Sequence, residues 1–331
     1  MQKYEYLCEG GHEMPGFITH YVFGKEGFKE FTEGSIKEAV RKHRNAFHIG
    51  LQGPDIFFYF PAYVLISKKN LGTIMHRSEV NPFFSELSTY IIKSEPADRD
   101  ILIAYTAGFL GHQALDSTAH PYVYSFTDYK EGEKGYFSRH AKFETEIDYY
   151  MSREYLKMDA YYFDMASSVK LKPEEYKVIG EALSAICSKL YNVRRNKYVY
   201  DTVVRGFSTE ISLFKDATGN KTRLVSRLEK LFMGNEHFTP MIIRKNHILT
   251  DHDILNLQGK EWSNYWNRNL KSDKGFQDLF WEAKKAYIST ITAFENYISD
   301  DSGSKFSEEK HMDEFMKKIG NKSYRSGLPY Q

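Results

Sequence analysis

The stretch of this chain that leaves the fewest options is residues 95–121, EPADRDILIAYTAGFLGHQALDSTAHP. Pro96 suits the first turn of a helix, where its missing N–H has no partner to lose. Pro121 predicts the end, because proline cannot continue the hydrogen-bond ladder and biases its predecessor away from helix. Between them, positions 104, 108, 112, 116 and 120 advance by about 40° per step and form one slowly drifting stripe. It carries Ala104, Gly108, His112, Asp116 and His120. The small end lets a neighbouring helix approach closely. The far end offers two imidazoles and a carboxylate to one point, the i, i+4 device of helical metal sites. A lone His-x-x-x-Asp is more often a polar helix face. Three such residues in register, among Leu110, Leu115 and Ala119 instead of Lys and Glu, make a metal site at least as good an explanation.

The next helix, FSRHAKFETEIDYYMSREYL (137–156), supplies a second pair at the same spacing, His140 and Glu144. Taken alone, Glu144, Glu146 and Asp148 would serve as a solvated face. One loop after a His-Asp-His stripe, the pair reads better as its counterpart, because antiparallel neighbours bring two such stripes together. Three more candidates lie upstream. His20 sits in MPGFITHYVFG, His76 in IMHRS, and Asp55 in GPDIFFYF, where an unpaired carboxylate among apolar residues is costly to bury. His43 and His48, on a helix expected over 35–49, read as structural, with His48 a candidate to buttress a ligand. His237, His247, His252 and His311 have no partners at metal spacing.

The rest of the chain predicts an all-α fold, a multi-helix bundle with its metal site between central helices. Ser35 to Glu38 reads as a capping box, and Ile36, Val40 and Phe47 follow at helical spacing. Further helices are expected at 84–93, 173–192, 222–233 and 275–298, with a long structured loop over 239–272. Organisation follows: an extension at 1–13, a helical domain over 14–298, then a linker, a short charged helix and a tail over 299–331. With 45 Lys and Arg against 44 Asp and Glu, nothing in the overall balance calls for nucleic acid or an anionic membrane. Two cysteines, Cys8 and Cys187, make no thiolate site, so any metal must use His and carboxylate. No apolar leader or membrane-length run is evident, which predicts a cytoplasmic chain.

His20, Asp55, His76, His112, Asp116, His120, His140 and Glu144 are too many ligands for one tetrahedral ion. Two or three ions sharing carboxylates would use them, Zn²⁺ first with Fe²⁺ or Mn²⁺ as alternatives, and clustered ions suit phosphoester hydrolysis. The order His…Asp…His…His-x-x-x-Asp…His…His-x-x-x-Glu resembles the zinc-dependent phospholipase C family, with trinuclear fungal nucleases as distant kin. GLQGPDIFFYF, GFLGHQALDSTAHPYVY and HAKFETEID look like its leaderless, uncharacterised bacterial branch.

The resemblance implies a first zinc on Asp55, His76, His112 and Asp116. Asp116 would bridge to a second zinc that also uses His20, and His120, His140 and Glu144 would hold the remaining one. It further implies that Asp55 orients the attacking water, with Phe57, Phe58 and Tyr59 lining a groove for a phospholipid or small phosphodiester. The alternatives are a single-strand nuclease-like enzyme, with nucleic acid the less favoured substrate, and a non-catalytic protein whose metal ions stabilise the helix pack. Two departures stand out. Secreted relatives chelate a zinc with a mature N-terminal amine, so here either His12 folds back to replace it or the chain starts at Met14. The interval from Asp116 to His120 is also shorter than in those relatives. Within these residues no room is expected for the β-sandwich membrane-binding domain that some toxins of the family carry, which counts against an expectation of membrane lysis.

Overall fold

In the computed structural model the described residues are 16–59, 70–133, 135–232, 234–236, 238–249, 253–300 and 303–330. Among them the first half carries α1 (Phe17–Phe28), α2 (Ser35–Lys42), α3 (Arg44–Gly50), α4 (Ile56–Tyr59), α5 (Leu71–His76), α6 (Asn81–Lys93), α7 (Pro96–Phe126) and α8 (Tyr136–Met151). Then follow α9 (Met165–Ser168), α10 (Pro173–Tyr191), α11 (Lys197–Ser212), α12 (Asn220–Phe232), α13 (Phe276–Ile298) and α14 (Lys305–Ile319). Among the described residues extended pairing is limited to two short ladders, Lys215–Asp216 with Ile243–Arg244 and Trp262–Ser263 with Lys271–Ser272, and one isolated bridge between Lys322 and Pro329. The fold is all-α, as expected. None of the described helices is long and apolar enough to cross a membrane.

α7 is the axis of the bundle. It has 31 residues and is buried almost continuously from Ile101 to Tyr124. Its sequence is apolar nearly all round, and such a helix must be surrounded by others. α1, α2, α3, α8, α10 and α13 all pack on it. α3 crosses at Gly50 and Gly108. A Cβ on Gly108 would lie 2.8 Å from Leu51 N and 3.0 Å from the Gly50 carbonyl carbon, and closer still to the Phe47 carbonyl. The small end of the stripe therefore does what its composition implied. On the other side Tyr287 of α13 donates its hydroxyl to the Ala107 carbonyl at 2.7 Å, and Phe23, Phe47, Phe83, Phe84 and Phe109 fill the space between.

Three local expectations need correction. α7 does not stop at Pro121; it runs on to Phe126. The proline removes one N–H from the ladder, but Tyr122, Val123 and Tyr124 are buried beyond it, and Tyr122 donates to the Ile254 carbonyl at 2.7 Å. Burial of that turn outweighs one lost bond. Ser35 is not an N-cap. It is the first helical residue, and the free amides of Ser35 and Ile36 are taken by the Glu295 carboxylate of α13 at 2.7 and 2.8 Å. The helix over 35–49 is two helices, broken at His43 (φ −121°, ψ 50°), whose Nδ1 meets Glu175 at the start of α10 at 2.8 Å. The segment 197–212, unassigned from sequence, is α11.

Candidate metal centre

α1, α5, α7, α8 and the turn before α4 deliver all eight candidate ligands to one buried region. His20 is on the first turn of α1. That turn is fixed by Asp148 of α8, whose carboxylate accepts from Ile18 N (3.1 Å), Thr19 N (2.7 Å) and Thr19 Oγ1 (2.6 Å). Asp148 is thus a buried cap for α1 and not part of a solvated face. Asp55 ends a single 3₁₀ turn, Gly53–Asp55, in which Gly53 takes φ +49°. His76 ends α5. His112, Asp116 and His120 descend α7, and His140 and Glu144 face them from α8.

The donors fall into three groups whose ligand atoms lie within 4.8 Å of one another: His20, His112 and Asp116; Asp55, His76 and His112; His120, His140 and Glu144. His112 belongs to two of them. Asp116 is the hub: Oδ1 lies 3.2 Å from His20 Nε2, while Oδ2 lies 3.0 Å from His112 Nε2, 3.7 Å from His76 Nε2 and 3.8 Å from His120 Nδ1. Asp55 Oδ1 is 3.3 Å from His76 Nε2, and Glu144 Oε1 is 3.0 Å from His140 Nε2 and 3.4 Å from His120 Nε2. Two donors each about 2.1 Å from a tetrahedral ion stand about 3.4 Å apart. The observed separations cluster around that edge length.

Hydrogen bonding on the outer side of the rings sets their tautomers. His76 Nδ1 lies 2.8 Å from the Gly72 carbonyl, His112 Nδ1 3.2 Å from that of Leu51, and His120 Nδ1 2.7 Å from that of Tyr324. A carbonyl only accepts, so each Nδ1 carries a proton, which leaves Nε2 as the ring atom that faces the other donors. His140 Nδ1 is held by the Tyr136 hydroxyl at 3.0 Å. Burial lowers the His112 pKa to about 4, which keeps that ring neutral. Burial raises Glu144 to about 8 despite the neighbouring His120. For Asp116 burial acts upward, but His112 and His120 outweigh it and hold the carboxyl well below its ordinary value.

The chemistry of the donor set fits zinc. His20 Nδ1, His76 Nε2, His112 Nε2, Asp116 Oδ2, His120 Nε2 and Glu144 Oε2 are buried without an aligned hydrogen bond. At about 1–3 kcal/mol for each such atom, leaving six unsatisfied would cost roughly 6–18 kcal/mol, comparable with the whole stability of a domain. A cation coordinated by nitrogen and carboxylate donors removes that cost, and this set suits Zn²⁺.

Other sequence candidates sit elsewhere. Phe57 is fully buried, its ring edge-on to Tyr200 at 5.9 Å, so it belongs to the core and not to a groove. Tyr59 lines an opening beside Glu144 and Asp148, with Gly16 and Phe214. Phe58 lies 5.5 Å from the His76 ring. His48 Nδ1 meets the Ser168 carbonyl at 3.0 Å, away from the ligands. His247 pairs with Glu146 at 2.7 Å and His311 with Asp300 at 3.2 Å, neither within a three-donor group. His12, His237 and His252 lie outside the described residues, as does Met14.

Sequence reasoning missed the C-terminal tail. Besides its carbonyl on His120, Tyr324 is buried with its ring 5.1 Å from His76 and 5.7 Å from His112. Nothing in the tail's composition marks this, because a backbone carbonyl has no sequence signature.

A family model described as zinc dependent phospholipase C matches residues 19–202, more than half of the chain. The chain belongs to the zinc-dependent phospholipase C family. The match begins one residue before His20 and contains every residue of the three donor groups. Membership implies a hydrolase with phospholipase C-like function in general and dependence on zinc. Searches of the curated proteins and of the solved structures return no match.

Proposed function

We propose that the chain is a multi-zinc phosphodiesterase that hydrolyses a phospholipid head-group bond or a related small phosphodiester. The observation that carries this reading is that two buried donor groups share His112 and that the Asp116 carboxylate lies within 3.8 Å of a histidine from each of the three, beside an opening lined by Glu144. Asp55, His76, His112 and Asp116 would hold one ion, Asp116 with His20 a second, and His120, His140 and Glu144 a third. When bound, clustered zinc ions lower the pKa of a water toward neutrality and neutralise the phosphoryl oxygens. The chain's own residues supply position and proton handling. Asp55 orients the attacking water and accepts its proton on a carboxylate oxygen. The new bond forms between the water oxygen and phosphorus as the bond to the alcohol oxygen breaks. The alcohol leaves with a proton, and a phosphomonoester remains.

The walls of the opening favour lipid over nucleic acid. Tyr59, Ile211, Phe214, Met241 and Ile243 are apolar or aromatic, and among the described lining residues none is Lys or Arg. A polynucleotide groove needs cations beside its stacking rings. The test is zinc content by mass spectrometry together with turnover of bis(p-nitrophenyl) phosphate and of phosphatidylcholine vesicles. Two or more zinc ions per chain with turnover that chelation abolishes is the expected result. Full zinc occupancy with no phosphodiester turnover would replace this reading with a structural role for the ions.

A further inference from the structure

α12 (Asn220–Phe232) is built inside out. Its polar residues face the protein. Thr222 donates N–H and Oγ1 to Asp216 Oδ2 at 2.8 and 2.7 Å, and Ser226 Oγ donates to Glu236 at 2.6 Å. Glu229 accepts from Phe238 N, Thr239 N and Thr239 Oγ1 at 2.5, 3.2 and 2.7 Å. Its apolar residues face away: Leu224 is 59% exposed, Leu228 46%, Leu231 75% and Phe232 78%. At 100° per residue the three leucines fall within an arc of about 60°, a continuous ridge. Arg223, Arg227 and Lys230, all exposed, run along one flank of it. The helix carries four basic residues and one acidic residue, Glu229, which is turned inward and buried. Leu213, 62% exposed, lies at the N-terminal end, where Lys221 Nζ donates to its carbonyl at 2.9 Å.

A leucine ridge facing outward with a cationic flank is the pattern of a helix that lies in a lipid–water interface. Its position has a purpose. Phe214, just before the strand that leads into α12, and Met241, the last residue of the 3₁₀ turn Thr239–Met241 whose start Glu229 caps, both line the opening at Glu144. α12 packs on both of those segments, so the helix that carries the ridge adjoins the wall of that opening. We propose that α12 docks this chain on an anionic lipid surface, its leucines entering the acyl boundary and Arg223 and Arg227 meeting lipid phosphates, while Lys230 stays paired with Glu236 at 2.9 Å. Charge selects this occupant over a second copy, because a twofold contact through α12 would set one cationic helix against another. That docking feeds lipid to the metal centre rests on the function proposed above; the docking itself does not.

Co-sedimentation of the full, zinc-loaded chain with vesicles tests the idea, using pure phosphatidylcholine and an equal mixture with phosphatidylglycerol. Binding to the mixed vesicles that weakens with added salt is expected. Leu228→Gln/Leu231→Gln and, separately, Arg223→Glu/Arg227→Glu should each lower it about tenfold or more. Both pairs are on the surface, so turnover of soluble bis(p-nitrophenyl) phosphate should stay at the wild-type level while vesicle hydrolysis falls. Failure of the wild type to bind anionic vesicles, or variants that bind like wild type, overturns the docking. So does a concentration-dependent dimer that the leucine variant dissociates, because a second copy would then be the occupant. Loss of soluble turnover in the wild type would instead count against the hydrolase reading, and vesicle binding would still be read independently.

Discussion

Gly53→Ala isolates how far the metal centre depends on one backbone turn. Gly53 sits at φ +49°, where a Cβ costs about 1–2 kcal/mol. That Cβ would also lie 2.5 Å from Cγ and 2.8 Å from Nε2 of His112. The ring cannot swing aside freely, because its Nδ1 is bonded to the Leu51 carbonyl and His20 stacks on it at 4.5 Å. Overpacking of this kind adds about 1–3 kcal/mol. The total expected loss in stability is therefore about 2–5 kcal/mol. The two parts separate by metal. Backbone strain acts with or without zinc, whereas displacement of His112 Nε2 acts chiefly on zinc affinity, because His112 belongs to two donor groups. Thermal unfolding with chelator should show part of the loss. Competition with a zinc indicator should show affinity at least about 100-fold lower, beyond the usual effect of disturbing a residue behind a ligand. Wild-type zinc affinity in a variant that loses only about 1 kcal/mol would refute the argument that the turn places His112.

Asp116→Asn keeps the shape and removes the charge that His20, His76 and His112 share, so zinc content and phosphodiester turnover should both fall; wild-type occupancy by mass spectrometry would exclude Asp116 as a shared ligand. Without metal, the buried Glu144 holds its proton up to about pH 8, against an ordinary value of 4.5, so the folded chain keeps a proton that the unfolded chain has released. Its contribution to stability is lost as pH rises through that interval, and the raised His120 acts in the same direction. His112, lowered to about 4 from 6.5, opposes them only below pH 6.5, so chelated protein should lose stability between pH 6.5 and 8. Zinc demands an ionised Glu144, so the gain in melting temperature on adding zinc should grow over the same interval; a chelated protein that gains stability there would contradict the assignment. Tyr324→Ala empties a buried site beside His76 and His112 and should cost about 3–5 kcal/mol, seen in urea unfolding, with weakened zinc binding; an effect under about 1 kcal/mol would show the tail to be dispensable.

The amino-acid sequence determined the helices whose apolar period is local, and the ligands whose spacing is local. α7, α8, α10 and α13 follow from their residues, and His112, Asp116 and His120 share a face because four residues span little more than one helical turn. The end of α7 was not legible, because the burial that carries it past Pro121 comes from Ile254 and the residues around it. The cap of α2 comes from Glu295, distant in sequence. For α12 the amphipathic period was visible but its direction was not. Periodicity says that one side is apolar, and only the polar anchors at Asp216, Glu229 and Glu236 decide that this side faces away. The same division holds at the metal centre. Residue types and order fixed which donors exist. Whether they converge depends on Asp148 holding α1, on the Gly53 turn placing Asp55, and on the Tyr324 carbonyl turning His120. Those contacts join segments far apart along the chain, so they exist only once the helices have packed around α7.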